Sequence, residues 1–318
     1  MLLPHDTLAR DTGLLIANNL PAILGNNIAG MITTVGEGVT SFKVDDHVFG
    51  MSSLPLHGSD PSDQSGLQEY AILNVNAIGR TPDNFSDEQV VTLPVNLVTA
   101  WTALFTESGF KIIPPFSPKV TEVDDHDISS ILIIGGGTNA GQFAVQLARI
   151  AGIEKIVVIA GLKSKLELMG MGATSVIDRH APLKEVAQQA QEIVGTDGAT
   201  HVLDCANTEL FTAIATLSAT QRSQLRSLRH IKADELDRLK SQRPLCDAAF
   251  LGSVSMARLA PHTEVFWTNV PRWLEEGRLR PAKYLVVDGL EKVAEINEVL
   301  DGYRGLGRVG HQSVVRIA

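Results

Sequence analysis

Residues 129–152 read SSILIIGGGTNAGQFAVQLARIAG. An unbroken apolar run stops at three glycines, and a helical pattern starts directly after them. This order dictates a buried strand, a tight turn and a helix whose first N–H groups point back over that turn. More units of the same kind follow. Apolar runs at 155–160, 174–178 and 200–206 alternate with helical patterns at 140–151, 163–171, 182–194 and 208–217. Short buried strands alternating with such helices mean βαβ units and a parallel sheet. Weaker strand patterns lie at 225–231 and 248–254, with a helical stretch between them.

The first 80 residues read differently. β-formers are separated by Gly, Asp and Asn, as in VGEGV around Gly36–Gly38, and VFGM at Val48–Met51 precedes a loose loop at 52–66. This is a β-rich, loop-rich region. At Ser86 the pattern turns helical, with Ser86 as N-cap and acids in the first turn, and Pro94 should kink or split the helix. Residues 111–127 are rich in Pro and charge and read as a surface connection. The helical stretch after Pro261 leads to a last strand at 313–317.

Charge and composition exclude several classes. A net charge of −9 argues against a general nucleic-acid binder. No apolar run approaches the ~20 residues of a membrane span. The first ten residues lack the apolar core of a secretory signal. Two cysteines, Cys205 and Cys246, support neither a disulfide framework nor a cysteine-built zinc lobe, so a cytoplasmic protein is expected. Asn84-Phe85-Ser86 is a chance sequon in such a chain.

The glycine string G-G-G-T-N-A-G departs from a strict G-x-G-x-x-G by one residue. Alone it is either a plain tight turn or a pyrophosphate cradle, and the βαβ context favours the cradle. Gly141 on the first helical turn would let helix and sheet pack closely. In NAD sites an acid ends the second strand. Here that place holds Ala160-Gly161, followed by Lys163, Ser164 and Lys165. A carboxylate would repel a 2′-phosphate, whereas Lys and a Ser hydroxyl would bind it, which favours NADP(H). The alternative is that these lysines only begin a solvated helix.

Together these segments resemble the medium-chain dehydrogenase/reductase superfamily, in its zinc-free quinone oxidoreductase and enoyl reductase branch. The resemblance rests on LPAILGNNIAG (20–30), VGEGVTSFKVDDHVFG (35–50), GLQEYAIL (66–73), LPVNLVTAWTALF (93–105), the glycine turn and the GAT–VID spacing at 172–178. It implies an α/β fold: a Rossmann doubly wound parallel sheet over 96–270, and a GroES-like β-barrel domain over 1–95 completed by 271–318. The substrate cleft would lie between the domains. Leu3-Pro4-His5-Asp6 resembles an Asn-Pro-x-Asp that further barrel strands precede in relatives, so a barrel truncated at its N-terminal side is expected.

The resemblance also assigns roles. Gly135, Gly136, Gly137, Thr138, Asn139, Ala140 and Gly141 match the pyrophosphate segment. Gly161, Lys163 and Ser164 match the surroundings of the 2′-phosphate, and Arg179 the place beside the adenosine. Thr99 matches a Thr near the nicotinamide; its other reading is a hydroxyl bonded back into its own helix. Asn207 would face the nicotinamide ribose, and Cys205 reads as a packed side chain. The zinc branch carries Gly-His-Glu where this chain has Gly25, Asn26 and Asn27, and amides are poor zinc ligands, so no metal is expected. His47, His57 and His126 read as surface residues.

The implied activity is NADPH-dependent reduction of an activated C=C bond or a quinone, or trans-acting enoyl reduction in a polyketide pathway. A non-catalytic NADPH-binding protein of the same fold is the second class, and a zinc alcohol dehydrogenase the third. No catalytic acid is identifiable from the sequence. The expected partner is a small molecule, with neither nucleic acid nor membrane. A homodimer through the strand at 248–254 is possible if that strand is an edge.

Overall fold

The computed structural model describes residues 1–14, 16–18, 20–52, 62–116, 128–195, 197–206, 209–252, 263–304 and 311–317. The chain divides into two compact units, Met1–Val95 with Ala260–Ala318, and Asn96–Leu259.

The first unit opens with helix α1 (Pro4–Thr12), which has Pro at its first position and is closed by Gly13. Strands β1 (Asn27–Met31), β2 (His47–Met51) and β3 (Ile78–Arg80) form an antiparallel sheet in that order. Helix α2 (Asp87–Val90) starts at Ser86 as the sequence predicts: the Ser86 hydroxyl accepts from Gln89 N–H, and Gln89 Oε1 accepts from Ser86 N–H. Pro94 splits the helical stretch, because α3 (Pro94–Phe105) begins on it.

The second unit takes up most of α3 and then runs β4 (Ser130–Ile134), α4 (Asn139–Ile150), β5 (Lys155–Ala160), α5 (Lys165–Met171), β6 (Ser175–Asp178), α6 (Leu183–Val194) and β7 (His201–Asp204). It continues through α7 (Phe211–Thr216), β8 (Ser223–Ser227), α8 (Ala233–Gln242) and β9 (Cys246–Phe250). The six strands form one parallel sheet in the order β6-β5-β4-β7-β8-β9. This is a doubly wound Rossmann sheet, whose order reverses between β4 and β7. Its central strands β4, β5 and β7 are mostly apolar and buried, as expected where helices cover both faces. Leu132, Val157, Val202 and Leu225 are fully buried in its core.

Two strands sit earlier than their apolar patterns suggest. β8 begins at Ser223, not 225, and carries Gln224 and Arg226 inside the ladder. Arg226 is buried yet satisfied: it donates to Gly109 O, Asp247 O and the Gln224 side chain, and pairs with Asp247. Such pairing lets polar residues occupy a strand that hydropathy misses. β9 likewise starts at Cys246 and ends at Phe250, and residues 253–254 of the expected strand lie outside the described residues. Among the described residues β9 is an edge strand of this sheet.

The chain returns to the first unit with α9 (Thr263–Glu275), β10 (Tyr284–Asp288), α10 (Val293–Gly302) and β11 (Gln312–Arg316). β10 and β11 pair in parallel, and Leu2 bridges β11 at Ser313. Leu2, Val287, Ile296, Leu300 and Val315 pack together here. Elsewhere in the unit, buried Phe49 meets Trp267 edge to face at 5.9 Å. Among the described residues the expected barrel is therefore a three-stranded and a two-stranded sheet. The stretch 67–73, read as barrel strand, makes only the first rungs: Gly66 N–H donates to Gly25 O and Leu67 N–H to Leu24 O. It then turns back, with Ile72 N–H donating to Asp63 O. Tyr70 and Ile72 are exposed.

No helix among the described residues is long and apolar enough to cross a membrane.

Candidate functional site: a glycine turn and an amide-lined corner

In the second unit the site begins where β4 ends. Gly135 and Gly136 both donate to Ile159 O, and Thr138 N–H donates to Gly135 O, which folds the chain into a tight turn. Gly135 has φ +76°, and a Cβ there would stand 2.8 Å from Ala206 N, so both conformation and space call for glycine. A Cβ on Gly141 would overlap the Gly135 carbonyl oxygen, so only glycine lets the start of α4 lie down on the turn. Thr138 is the N-cap of α4: its hydroxyl accepts from Gly141 N–H at 3.1 Å. The N–H groups of Gly137, Asn139 and Ala140 are not taken up by backbone carbonyls among the described residues. Donors of this kind at a helix N-terminus form a cradle for a phosphate. The residues present thus fit a dinucleotide pyrophosphate.

The neighbouring strand end completes the cradle. A Cβ on Gly137 would lie 3.6 Å from Ser164 Oγ. A Cβ on Gly161 would lie 3.8 Å from Arg179 Nε and 4.0 Å from Lys163 Cγ. The structure therefore gathers Gly137, Gly161, Lys163, Ser164 and Arg179 beyond the carboxyl ends of β4, β5 and β6. Lys163 and Arg179 are exposed. Thr99 lies half-buried on α3 of the same unit. Asn207 is outside the described residues.

Two carboxylates near the site escaped sequence reasoning. Asp178 ends β6 directly across from Ala160 in register, and its Oδ1 accepts from His180 N–H at 3.0 Å. Only the pairing of β5 with β6 reveals it; along the chain no acid is near Ala160. Asp204 ends β7 and is buried, accepting from Ala206 N–H at 2.9 Å. Burial pushes its carboxyl up to about 7, against the Ala206 N–H and Arg229, which favour the anion. Arg229 itself is committed to Glu235, at 2.5 and 2.8 Å. The signal for Asp204 was an acid closing the apolar run THVLD. Cys205 beside it is partly buried, and burial pushes its thiol up, so it is no ready nucleophile.

In the first unit, Gly25, Asn26 and Asn27 sit where β1 begins. Asn27 is buried, with Oδ1 accepting from Val95 N–H at 3.0 Å and Nδ2 donating to Val91 O at 2.9 Å. Asn26 accepts from His5 Nε2–H at 2.6 Å and donates to Ser52 Oγ at 2.7 Å. Both amides are engaged with protein atoms, and amides are poor zinc ligands. Among the described residues no three His, Cys, Asp or Glu side chains are grouped to hold a metal. Of the scattered histidines, His47 is exposed beside Asp87, and His57 and His126 lie outside the described residues.

A doubly wound sheet with a phosphate-type glycine turn, beside a β-rich unit, defines a dinucleotide-binding α/β protein of the dehydrogenase type. The comparisons agree. Residues 2–86 match the alcohol dehydrogenase GroES-like domain, and residues 140–221 the zinc-binding dehydrogenase family. The chain belongs to the medium-chain dehydrogenase/reductase superfamily. It is 32% identical over 158 residues to the dehydrogenase pigH of Monascus ruber, a match covering 50% of this chain and 42% of that protein. It is 26% identical over 333 aligned residues to the trans-enoyl reductase grgB of a Penicillium species, covering 96% of this chain and 86% of that one. The chain thus spans less than half of pigH in that match, but most of grgB. Among solved structures, a putative NADPH:quinone reductase from Bacillus thuringiensis superposes with a TM-score of 0.74 at 17% identity, covering 100% of this chain and 87% of that one. That likeness is one of fold.

Proposed function

We propose that this oxidoreductase is an NADPH-dependent, zinc-independent reductase of an activated C=C bond or a quinone. The observation that carries the cofactor choice is the strand end at Ala160-Gly161. Lys163, Ser164 and Arg179 surround Gly161 there. Two cations and a hydroxyl suit a 2′-phosphate, with Arg179 able to pair with it or stack on the adenine. The acid across from Ala160, Asp178, accepts from His180 N–H with Oδ1.

When bound, NADPH supplies a hydride from its nicotinamide. The chain's own groups bind and orient. Gly137, Asn139 and Ala140 N–H hold the pyrophosphate, while Gly135, Gly136 and Gly141 shape the turn and Thr138 caps the helix. Thr99 and Asn207 are assigned to the nicotinamide end by family resemblance. With no metal, catalysis is mainly positioning, with donors stabilising the developing enolate. The trans-enoyl reductase name of grgB supports an enoyl thioester or enone as the substrate class. The two free cysteines agree with a cytoplasmic protein.

NADPH oxidation with a panel of quinones, enones and enoyl thioesters tests this reading. Turnover of at least one class supports it. Tight NADPH binding without turnover on any would assign the chain to the non-catalytic class.

A further inference from the structure

A dinucleotide on a doubly wound sheet lies across the carboxyl ends of the strands, at the reversal of strand order. In the second unit that reversal falls between β4 and β7. The adenosine half of NADPH, assigned to Gly161, Lys163 and Arg179, belongs on the β5–β6 side of the glycine turn. The nicotinamide half is left the β7 side, where the chain passes from β7 to α7.

This connection is fixed at both ends, by different means. At the β7 end, Leu228 N–H donates to Asp204 O and Cys205 N–H to Ile134 O, both at 2.9 Å. Ala206 N–H turns back to Asp204 Oδ1, and Ala206 N stands 2.8 Å from where a Cβ on Gly135 would be. The connection therefore bears directly on the glycine turn. At the α7 end, buried Leu210 donates its N–H to Glu235 Oε1 at 3.3 Å. Glu235, in the first turn of α8, is itself buried. Its carboxylate also receives Lys232 N–H at 3.0 Å and the Arg229 guanidinium at 2.5 and 2.8 Å. Arg229 is held in turn by Ser227, whose hydroxyl accepts from Arg229 N–H at 3.3 Å and donates to Arg229 O at 2.9 Å. An acid that only capped α8 would need no more than the Lys232 N–H. The bonds to Leu210 and Arg229 tie the β7–α7 connection to the β8–α8 connection, and the paired charges make that tie a strong one.

We propose that Glu235, braced by Arg229, is a positioning residue for the nicotinamide half of the cofactor: through Leu210 it fixes the connection that walls that half. The assignment rests on the cofactor reading. Glu235 touches no part of the cofactor in this account. Losing it frees the α7 end of the wall and leaves the Gly161 end as it was, so the two halves of the cofactor should respond differently.

The test is isothermal titration of the full chain with NADPH, NADH and adenosine 2′,5′-bisphosphate, a fragment that carries the adenosine and the 2′-phosphate but no nicotinamide. In Glu235→Ala, the affinities for NADPH and NADH should both fall about tenfold. The fragment should keep its wild-type affinity within about twofold, which a general loss of structure would not allow. Glu235→Gln keeps an oxygen for Leu210 but loses the charge paired with Arg229, and should show the same split at about threefold. It decides the matter if the alanine variant does not fold. Ser218→Ala breaks a contact with Asp197 before the amino ends of β7 and β8, and should leave all three affinities unchanged. Wild-type NADPH affinity in the deciding variant, an equal loss for the fragment, or the same split in Ser218→Ala would overturn the proposal alone. A wild type that binds no cofactor, or no fragment, would overturn the cofactor reading and the proposal with it.

Discussion

The glycine turn of the second unit and the Asn26 corner of the first both hold polar groups in place, by opposite means. The turn is almost all backbone. Its residues, 135–141, are contiguous and are pinned by main-chain bonds to Ile159 O, and its binding atoms are main-chain N–H groups. The corner is almost all side chain, assembled from Asp6, Asn26, Asn27 and Ser52, which are far apart in sequence. A backbone site fails when a side chain is added, and a side-chain site when one is removed. The two should therefore break under different substitutions and with different readouts.

The sharpest contrast is Gly141→Val. Its branched side chain would have to displace the Gly135 carbonyl, so NADPH affinity should drop at least about 100-fold, with a stability loss of about 1–3 kcal/mol. Isothermal titration and thermal unfolding read the two. Wild-type affinity in this variant would mean that the turn can open without harm.

Asn27→Ala is the counterpart in the first unit. It strands Val95 N–H and Val91 O in the interior, at about 1–3 kcal/mol each. Urea unfolding should show a loss of about 2–4 kcal/mol, while NADPH affinity stays within about twofold. A large change in affinity would show that the two features are not separable.

Within the second unit, pH offers a finer test. Asp204 keeps its proton up to about 7 when folded but only to 3.8 when unfolded. Its contribution therefore falls as pH rises between those values. His201 works the other way. Burial, helped by Arg226, lowers it to about 4 from 6.5, so its contribution is lost as pH falls through that window. The two slopes oppose each other. Asp204→Asn should make stability rise more steeply with pH between 4.5 and 6.5 than in the wild type, by up to about 1.4 kcal/mol per pH unit. Parallel curves would place Asp204 outside this balance.

The smallest effect concerns the edge strand β9. Leu251 N–H turns inward to Ser227 O, so by alternation Ala248 and Phe250 present their N–H groups outward. An unblunted edge invites a second copy. Ala248→Pro removes an outward donor at little cost to the chain itself. Light scattering should find a wild-type dimer and a monomeric variant; a monomeric wild type at micromolar concentration would end the dimer reading.

What the sequence makes legible follows the same division. The run ILIIGGG and its successors KIVVIA, SVID and HVLD announce the parallel sheet because parallel strands are apolar on both faces. β8 was harder, since Arg226 is buried through partners that lie as far off as Gly109. Of the cofactor residues, those on the turn were visible from local order. The approach of Arg179 to Gly161, and of Asp178 to Ala160, depends on strand pairing. The corner was least legible: Asn26 was noticed for what it is not, a metal ligand. That His5 would meet it depends on Asp6 tying Leu3 to Gly25, a contact no local pattern encodes.

The central claim is that the strand end at Gly161 selects NADPH. Fluorescence titration of the wild type and of Lys163→Glu with NADPH and NADH tests it most directly. The wild type should bind NADPH at least about tenfold more tightly, a difference of about 1.4 kcal/mol. Lys163→Glu should bring the two affinities together by setting a carboxylate beside the 2′-phosphate. Equal affinities in the wild type, or a preference for NADH, would contradict the account.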